Sequence, residues 1–190
     1  MSQPRLMIVV ASVRQGRAGL PISKWVEKLT SEHGAFEIDF VDLAELSLPF
    51  MDEPNHPRLQ QYEHEHTKAW SKRVAAADAF IFVMPEYNHG FSAPLKNALD
   101  YLVAEWSHKP LGLVSYGGLS AGVRAITTME PVLIALKFLT SPATAAALAM
   151  PFGKIADGEF AGDDTSAGFV KGMLDELQRL MPVSQTLRTA

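Results

Sequence analysis

A loop near the amino end carries the residue types that bind phosphate groups. Ser12, Arg14, Arg17 and Gly19 follow an apolar run over residues 6–11, and no acidic residue precedes or interrupts them. If a helix begins after this loop, its free backbone N–H groups and partial positive charge favour an anion at that point. A serine hydroxyl and an arginine fork add charge-assisted hydrogen bonds to phosphate oxygens. The loop therefore predicts a phosphate-binding site.

Two later loops carry groups that suit a large flat ring. One follows the apolar run 79–84, and the other ends the apolar run 111–116. Tyr87 offers an aromatic face, Asn88 offers a donor and an acceptor, and the glycine pair 117–118 lets a ring edge approach the backbone. The candidate ring contacts are Pro85, Glu86, Tyr87, Asn88, Ser115, Tyr116, Gly117 and Gly118. With the phosphate loop, this pattern indicates a mononucleotide that carries a flat ring.

Short apolar runs alternate with amphipathic or polar stretches along the chain, which predicts alternating strands and helices. The predicted strands cover residues 6–11, 36–41, 79–84, 111–116 and 144–150, and the predicted helices cover 20–33, 58–77, 93–103, 120–138 and a final segment after 164. This alternation predicts an α/β fold with a doubly wound parallel sheet and helices on both faces. Five strands favour the flavodoxin-like order 2-1-3-4-5, with the three candidate loops at the carboxyl edge of the sheet.

The same pattern predicts several local features. Ser92 and Ser120 precede predicted helices, so both are interpreted as N-cap residues. Residues 153–164 are predicted to form an irregular loop. The last helix is expected to bury one apolar stripe, which consists of Phe169, Met173, Leu177 and Leu180.

Length and composition limit the possible classes of protein. The 190 residues are predicted to form one domain, residues 1–190, with a hydrophobic core. A formal net charge of −4 argues against a nucleic-acid partner, whose binding surface is normally basic. The chain contains no cysteine, which excludes disulfides, thiolate nucleophiles and iron–sulfur clusters, and a cytoplasmic location is expected. No stretch approaches the roughly 18 apolar residues of a membrane helix, so no membrane partner is expected.

Three alternative chemistries have weaker support. Gly118-x-Ser120-x-Gly122 resembles a hydrolase nucleophile elbow, but that triad needs a histidine after the serine, and all six histidines precede it. His64 and His66 are spaced for different faces of a polar helix, so we predict solvated side chains and no metal site. The Walker and dinucleotide fingerprints are both incomplete at the first loop.

Together these motifs resemble the NADPH-dependent FMN reductase family of flavodoxin-like fold, which includes quinone, azo-dye and chromate reductases. The resemblance rests on Ser12-x-Arg14-x-x-Arg17, on Pro85-Glu86-Tyr87-Asn88 followed by Pro94-Leu95-Lys96-Asn97-Ala98 and Asp100, and on Tyr116-Gly117-Gly118. It spans residues 7–122. The chain differs from the family at Ala11, where glycine usually precedes the serine.

The resemblance implies FMN as the bound cofactor. By it, Ser12, Arg14 and Arg17 hold the FMN phosphate, and the segments 85–88 and 115–118 line the isoalloxazine ring.

The resemblance also implies assembly with further copies of the chain. Family members are typically homodimers or homotetramers, and the helix 93–103 is expected to form part of the interface. This arrangement would place three leucines on a buried seam, namely Leu95, Leu99 and Leu102.

The implied activity is that of an FMN-dependent NAD(P)H oxidoreductase. NADPH, or NADH, would pass a hydride to FMN, and a small acceptor (a quinone, azo compound, flavin or metal ion) would then collect the electrons in ping-pong order. Hydride transfer needs no obligatory general acid or base, so no side chain is assigned a catalytic role. The alternative is a non-enzymatic FMN-binding electron carrier or redox sensor of flavodoxin type.

Overall fold

The computed structural model describes residues 3–189 and is built on a five-stranded parallel sheet. The strands lie in the order β2-β1-β3-β4-β5. Their bounds are Arg5–Val10 (β1), Glu37–Asp42 (β2), Ala79–Pro85 (β3), Leu111–Gly117 (β4) and Ala145–Ala149 (β5). The predicted flavodoxin-like strand order is confirmed.

Helices cover the sheet and connect its strands. Their bounds are Gly19–His33 (α1), Leu43–Leu46 (α2), Glu65–Ala76 (α3), Ala93–Asp100 (α4), Val123–Ala135 (α5) and Asp164–Thr189 (α6). Short 3-10 turns at Pro57–Leu59, Ala104–Trp106, Pro142–Thr144 and Pro151–Lys154 complete the connections. Within residues 3–189, no helix has both the length and the apolar character needed to cross a membrane.

Strands β3 and β4 in the interior of the sheet are buried along their whole length. Helices cover both faces of these strands, which is why their sequences are continuous apolar runs without alternation. Val10 pairs with Asp42 and Pro85 pairs with Tyr116 across neighbouring strands. The carboxyl ends of β1 to β4 therefore lie at one edge of the sheet, and the loops that follow β1, β3 and β4 begin there.

A separate apolar layer packs on each face of the sheet. Met7 and Val9 point into one layer, and Leu6 and Ile8 point into the other. The first layer contains a cluster of aromatic rings with centroids 5.0 to 6.2 Å apart, formed by Trp70, Phe80, Phe82, Trp106 and Phe138. Each large apolar side chain contributes roughly 1.5–3 kcal/mol when fully buried. These layers give the loops at the carboxyl edge a rigid base.

The two leucines of α4 and the leucine that follows this helix lie inside the chain's own core. Leu95, Leu99 and Leu102 are each at most 1% exposed. The prediction that they form a seam with another copy is therefore wrong, because one chain alone already covers them. The helix is also shorter than predicted, since it ends at Asp100.

The segment predicted as an irregular loop, residues 153–164, contains regular structure. Two short antiparallel strands, Ile155–Ala156 (β6) and Glu159–Phe160 (β7), form a hairpin. Phe160 is buried, and its ring packs edge-on against Trp25 of α1 at a centroid distance of 5.2 Å. The prediction of an irregular loop is wrong because this tertiary contact stabilises strands too short to show a sequence pattern.

The buried stripe of α6 differs from the predicted one at both ends. At the carboxyl end Leu180 is only partly buried, and the next residue, Met181, is buried instead. Phe169 is 56% exposed, whereas Val170 and Leu174 are fully buried beside the correctly predicted Met173 and Leu177. The apolar character of Phe169 made the stripe begin one residue too early.

Two other predicted helices begin later than expected. The helix predicted over residues 58–77 starts at Glu65, because a separate 3-10 turn ends at Gln60 in the left-handed conformation (φ 52°). The helix predicted from Ser120 starts at Val123, and Gly122 occupies its N-cap position.

Candidate functional site

The predicted phosphate loop, residues 12–18, connects β1 to α1 at the carboxyl edge of the sheet. Ser12 is fully buried, while residues 13–16 are exposed. In the described chain, Ala18 precedes α1 without a side-chain cap, and no acidic side chain lies in the first helical turn. The first N–H groups of this 15-residue helix therefore lack a side-chain partner, and its dipole favours an anion there.

A pair of buried hydroxyl groups lies under this loop. Within residues 3–189, neither Ser12 Oγ nor Tyr116 Oη makes a hydrogen bond of good geometry, although the Ser12 hydroxyl is near enough to lower the pKa of Tyr116 slightly. A Cβ at Gly19 would overlap with both oxygens, so glycine is needed at that position. Burial raises the pKa of Tyr116 to about 12, which keeps its hydroxyl a neutral donor. Unpaired buried hydroxyls are uncommon, and this pair beside an uncapped helix start fits the oxygens of a phosphate group.

The two arginines of the loop have different surroundings. Arg14 is exposed, and no side-chain hydrogen bond joins it to another described residue. Arg17 is largely buried: its Nη1 donates to the Ser12 carbonyl oxygen at 2.6 Å, and its Nη2 forms an ion pair with Asp42 at the end of β2. Arg14 is thus free to meet a ligand, whereas Arg17 is already bonded within the protein.

Ser92 connects the phosphate loop to α4. It precedes that helix as predicted, but its hydroxyl donates to the Ala11 carbonyl oxygen at 2.6 Å and does not cap the helix. The interpretation of Ser92 as a side-chain cap is therefore wrong. Its buried hydroxyl instead stabilises the backbone immediately before the phosphate loop.

The loop after β3 makes a tight turn at the rim of the site. Tyr87 and Gly90 exchange backbone hydrogen bonds of 3.0 and 2.9 Å, and the two residues between them, Asn88 and His89, have φ of 48° and 65°. Positive φ at two successive non-glycine residues is unusual, and such strain is often found at ligand sites. The turn leaves the side chains of Tyr87, Asn88 and His89 exposed.

Glu86 connects the loop after β3 to the start of α5. Its carboxylate accepts hydrogen bonds from Ser120 Oγ at 3.0 Å, from the Arg124 backbone at 3.2 Å and from the Arg124 guanidinium at 3.0 Å. Burial alone would raise the pKa of Glu86, but the bonds from Arg124 and Ser120 hold it below its usual range. Ser120 therefore bonds to Glu86 and is not the predicted cap of α5.

The loop after β4 is also stabilised by its own side chains. Ser115 is fully buried, and its hydroxyl donates to the Ala121 carbonyl oxygen at 2.9 Å. A Cβ at Gly117 would lie 3.1 Å from the Gly122 nitrogen, whereas one at Gly118 would meet nothing within 4 Å. A side chain at Gly117 would therefore crowd the Gly122 backbone, while Gly118 borders open space.

All three predicted loops lie at one edge of the sheet, on the adjacent strands β1, β3 and β4. Their side chains fall into two sets. Those exposed at the edge are Arg14, Tyr87 and Asn88, and those buried beneath it are Ser12, Ser115 and Tyr116. Tyr116 belongs by position to the ring loop, but its side chain extends to the phosphate loop.

Sequence reasoning assigned no role in this site to two residues that organise its edge, Asp42 and Arg124. Asp42 had one available signal, since it is an acidic residue at the end of a predicted strand. Arg124 had no such signal, because its partner Glu86 lies 38 residues away.

Comparison with known proteins supports the predicted resemblance. The model of the NADPH-dependent FMN reductase family matches residues 4–151. The chain is 41% identical over 157 residues to an NAD(P)H-dependent FMN reductase of Schizosaccharomyces pombe, with 82% of this chain and 78% of that protein covered. It is 25% identical over 155 residues to the FMN-dependent NADPH-azoreductase of Staphylococcus saprophyticus, with 81% and 82% covered.

A solved structure has the same fold over nearly the whole chain. FerB, a flavoenzyme NAD(P)H:(acceptor) oxidoreductase from Paracoccus denitrificans, superimposes with a TM-score of 0.72 at 21% identity. The match covers 95% of this chain and 98% of that one.

The predicted family, activity class and cofactors are confirmed by these matches. The phosphate loop and both ring loops fall inside the segment that the family model covers. The chain belongs to the NADPH-dependent FMN reductase family, and its activity is that of an NAD(P)H-dependent oxidoreductase that uses FMN.

Proposed function

We propose that this chain holds FMN with the phosphate at the amino end of α1 and the ring between the loops after β3 and β4. The observation that carries the proposal is the buried, unpaired Ser12 hydroxyl beside an uncapped helix start. Ser12, Arg14 and the first N–H groups of α1 donate to the phosphate oxygens. Arg17 and Gly19 belong to the same site. Arg17 bonds to the backbone of the loop, and Gly19 leaves room for the hydroxyl groups of Ser12 and Tyr116.

Simple energetics support this phosphate site. A hydrogen bond to a charged group contributes roughly 1.5–3 kcal/mol, and micromolar binding needs about 8 kcal/mol. Two or three such bonds, together with contacts to the ring, are therefore enough to retain FMN.

The ring site consists of residues 85–88 and 115–118. The N–H groups of Glu86 and Tyr87 already donate to backbone carbonyls of Tyr116 and Gly90. The aromatic face of Tyr87 and the amide of Asn88 are exposed and available to a ring. Ser115 and Glu86 act on the ring indirectly, by stabilising the two loops that enclose it.

FMN, when bound, supplies the hydride-accepting and electron-donating chemistry. The residues of this chain bind and orient the cofactor, and no side chain is assigned a proton-transfer role. NAD(P)H and the acceptor use the same exposed rim beside Tyr87 in turn, which gives ping-pong kinetics. NADPH is proposed as the preferred donor from the family model and the azoreductase relative.

The acceptor is proposed to be a small molecule such as a quinone, an azo compound, a free flavin or a metal ion. The support is that the azoreductase relative is similar over 81% of this chain. An exposed rim with a tyrosine face suits flat acceptors of more than one kind.

The test is the visible absorption spectrum of the purified protein after FMN addition and desalting, recorded before and after anaerobic addition of NADPH. Retained yellow colour that NADPH bleaches, and that a quinone restores, is the expected result. Retained colour that NADPH does not bleach would indicate an electron carrier or sensor. Loss of all colour on desalting would contradict the proposed FMN site.

We also propose one domain, a cytoplasmic location, and a homodimer or homotetramer. The assembly is supported by the family resemblance and by an open groove of about 590 Å³ beside α4 and α5, lined in part by Met51, Val103, Pro131 and Val132. Light scattering on the eluted protein measures its mass. A monomer at micromolar concentration would contradict the proposed assembly.

A further inference from the structure

Within residues 3–189, the hydrogen bonds and the ion pair of Arg17 go to its own loop and to Asp42. Its guanidinium donates to the Ser12 carbonyl oxygen at 2.6 Å and pairs with Asp42, and its backbone N–H donates to the Arg14 carbonyl oxygen at 3.2 Å. These bonds close the loop from residue 12 to residue 17 on itself. The side chains of Arg17 and Asp42 are 13% and 2% exposed. Asp42 is thus buried, and Arg17 is largely covered.

Asp42 connects this pair to the neighbouring strand. One of its carboxylate oxygens pairs with Arg17, and the other accepts the Ala44 N–H at 2.9 Å at the start of α2. In the parallel register Asp42 lies opposite Val10, two residues before Ser12. The ion pair therefore holds the phosphate loop to the ends of both β1 and β2.

Arg17 uses two of its guanidinium N–H groups in these bonds, and turning its charge from Asp42 toward a phosphate group would break the ion pair. That movement would leave a nearly inaccessible carboxylate without its counter-charge, which is strongly unfavourable. It would also release the Ser12 carbonyl and open the loop that carries the Ser12 hydroxyl. Arg14 meets no such obstacle, because it is exposed and makes no side-chain bond to another described residue.

We propose that Arg17 and Asp42 are a positioning pair: Arg17 shapes the phosphate loop without touching the phosphate, and the negatively charged Asp42 promotes binding of an anion. This inference rests on the proposed FMN site and deepens it. The ion pair with Asp42 fixes the Arg17 side chain, and Arg17 in turn bonds to the Ser12 carbonyl oxygen. The loop then has the conformation in which Ser12, Arg14 and the first N–H groups of α1 can donate to the ligand.

The decisive variant is Asp42→Asn, for which the two possible roles of Arg17 predict opposite signs. Asparagine keeps an oxygen for the Ala44 N–H but removes the charge. If Arg17 were a phosphate ligand held back by Asp42, the variant would bind FMN more tightly, because one negative charge near the phosphate is lost. A positioning pair predicts about tenfold weaker FMN binding, as expected for loss of a hydrogen bond to a charged group.

The readout is the ratio of the Kd values for FMN and riboflavin, measured by flavin fluorescence during titration of the full chain without added nucleotide. Riboflavin has the ring but no phosphate, so a general loss of stability weakens both ligands and leaves the ratio unchanged. We expect Asp42→Asn to lower the preference for FMN about tenfold with little change in riboflavin affinity.

Arg17→Lys is the second variant, and it tests the same role if Asp42→Asn does not fold. Lysine keeps the positive charge but cannot bond to the Ser12 carbonyl and Asp42 with one planar fork. The positioning role predicts a loss of FMN preference similar to that of Asp42→Asn. A direct Coulombic role predicts nearly unchanged preference.

Asp39→Asn is the matched control. Asp39 is a second buried aspartate on β2. Its Oδ1 accepts a hydrogen bond from Arg73 Nη2 at 2.7 Å, and neither residue belongs to the candidate loops. This variant is expected to lower the melting temperature but to leave the ratio of FMN to riboflavin affinities unchanged.

Tighter FMN binding by Asp42→Asn, or unchanged preference in Arg17→Lys, would overturn the positioning role. Failure of the proposed function would look different. In that case the unaltered protein itself would bind FMN no better than riboflavin, before any substitution is made.

Discussion

The phosphate end and the ring end of the site each contain an arginine–carboxylate pair, but the two pairs are arranged in opposite ways. At the phosphate end the carboxylate is buried and the arginine largely so, with side chains 2% exposed for Asp42 and 13% for Arg17. At the ring end the carboxylate of Glu86 is 8% exposed, while Arg124 is 53% exposed. The first pair lies inside its loop, and the second spans two loops at the surface.

This difference separates the charges that shape the site from those available to a ligand. Each pair is close to neutral as a unit. Arg14 remains unpaired within the described chain, so the phosphate end keeps a positive charge, while the ring end keeps none from its pair. Such an arrangement suits a ligand with an anionic group at one end and a neutral ring at the other.

The largest effect is expected from Gly19→Ala at the phosphate end. A Cβ there overlaps with Ser12 Oγ and Tyr116 Oη, and overpacking of this kind costs about 1–3 kcal/mol of unfolding free energy. FMN affinity should fall about 100-fold or more, since the loop must shift. Denaturant unfolding and FMN titration measure the two quantities.

Gly118→Ala is the matched control at the ring end, because a Cβ there meets nothing within 4 Å. Its unfolding free energy should change by less than about 0.5 kcal/mol. Equal losses in the two variants would contradict the claim that the phosphate end is the more tightly packed.

Arg14→Ala is expected to have the next largest effect. It removes the one arginine of the loop that is free for a ligand, so FMN affinity should fall about 10- to 150-fold while riboflavin affinity stays unchanged. The unfolding free energy should change by less than about 0.5 kcal/mol, because the side chain is exposed. Unchanged FMN affinity, with Lys28→Ala on α1 as control, would remove Arg14 from the phosphate site.

Glu86→Gln tests the ring end. Glutamine keeps an acceptor for Ser120 but loses the ion pair with half-exposed Arg124, and an ion pair with an exposed partner contributes little because water screens it. FMN and riboflavin affinities should therefore fall together by about two- to fivefold. A selective loss of FMN affinity would show that this pair also serves the phosphate.

The smallest expected effect is the pH dependence of the stability that the Glu86–Arg124 pair contributes. The pKa of Glu86 is lowered from its ordinary value of 4.5, so its ionised form stabilises the folded state. That contribution is fully present above pH 4.5 and is lost as the pH falls through the lower folded pKa. The difference in unfolding free energy between the unaltered protein and Glu86→Gln should vanish in acid, and a difference that grew in acid would contradict the assigned sign.

Much of the fold could be predicted from the sequence because it follows from local patterns. The continuous apolar runs of β3 and β4 indicated strands buried on both faces, and both are buried throughout. The helix predicted over residues 20–33 does end at His33, because Gly34 adopts the left-handed conformation (φ 73°) that its lack of a side chain permits. The positions of the three loops followed from the strand order alone.

The roles of individual polar side chains could not be predicted in the same way. Ser92 and Ser120 both have the sequence context of an N-cap, yet their hydroxyls bond to Ala11 and Glu86. A hydroxyl takes the partner that the fold brings near, and these partners lie 81 and 34 residues away. The hairpin at residues 155–160 was missed for the same reason, since its stability depends on Trp25.

By itself, the sequence determined the strand order, the edge at which the site lies and the residue types available there. Only the tertiary structure decided which of those residues are free for a ligand. Apolar periodicity and glycine positions act locally along the chain, whereas charges pair through space. Arg17 and Asp42 are 25 residues apart in sequence, so no local pattern could show that one arginine of the loop is already paired and the other is not.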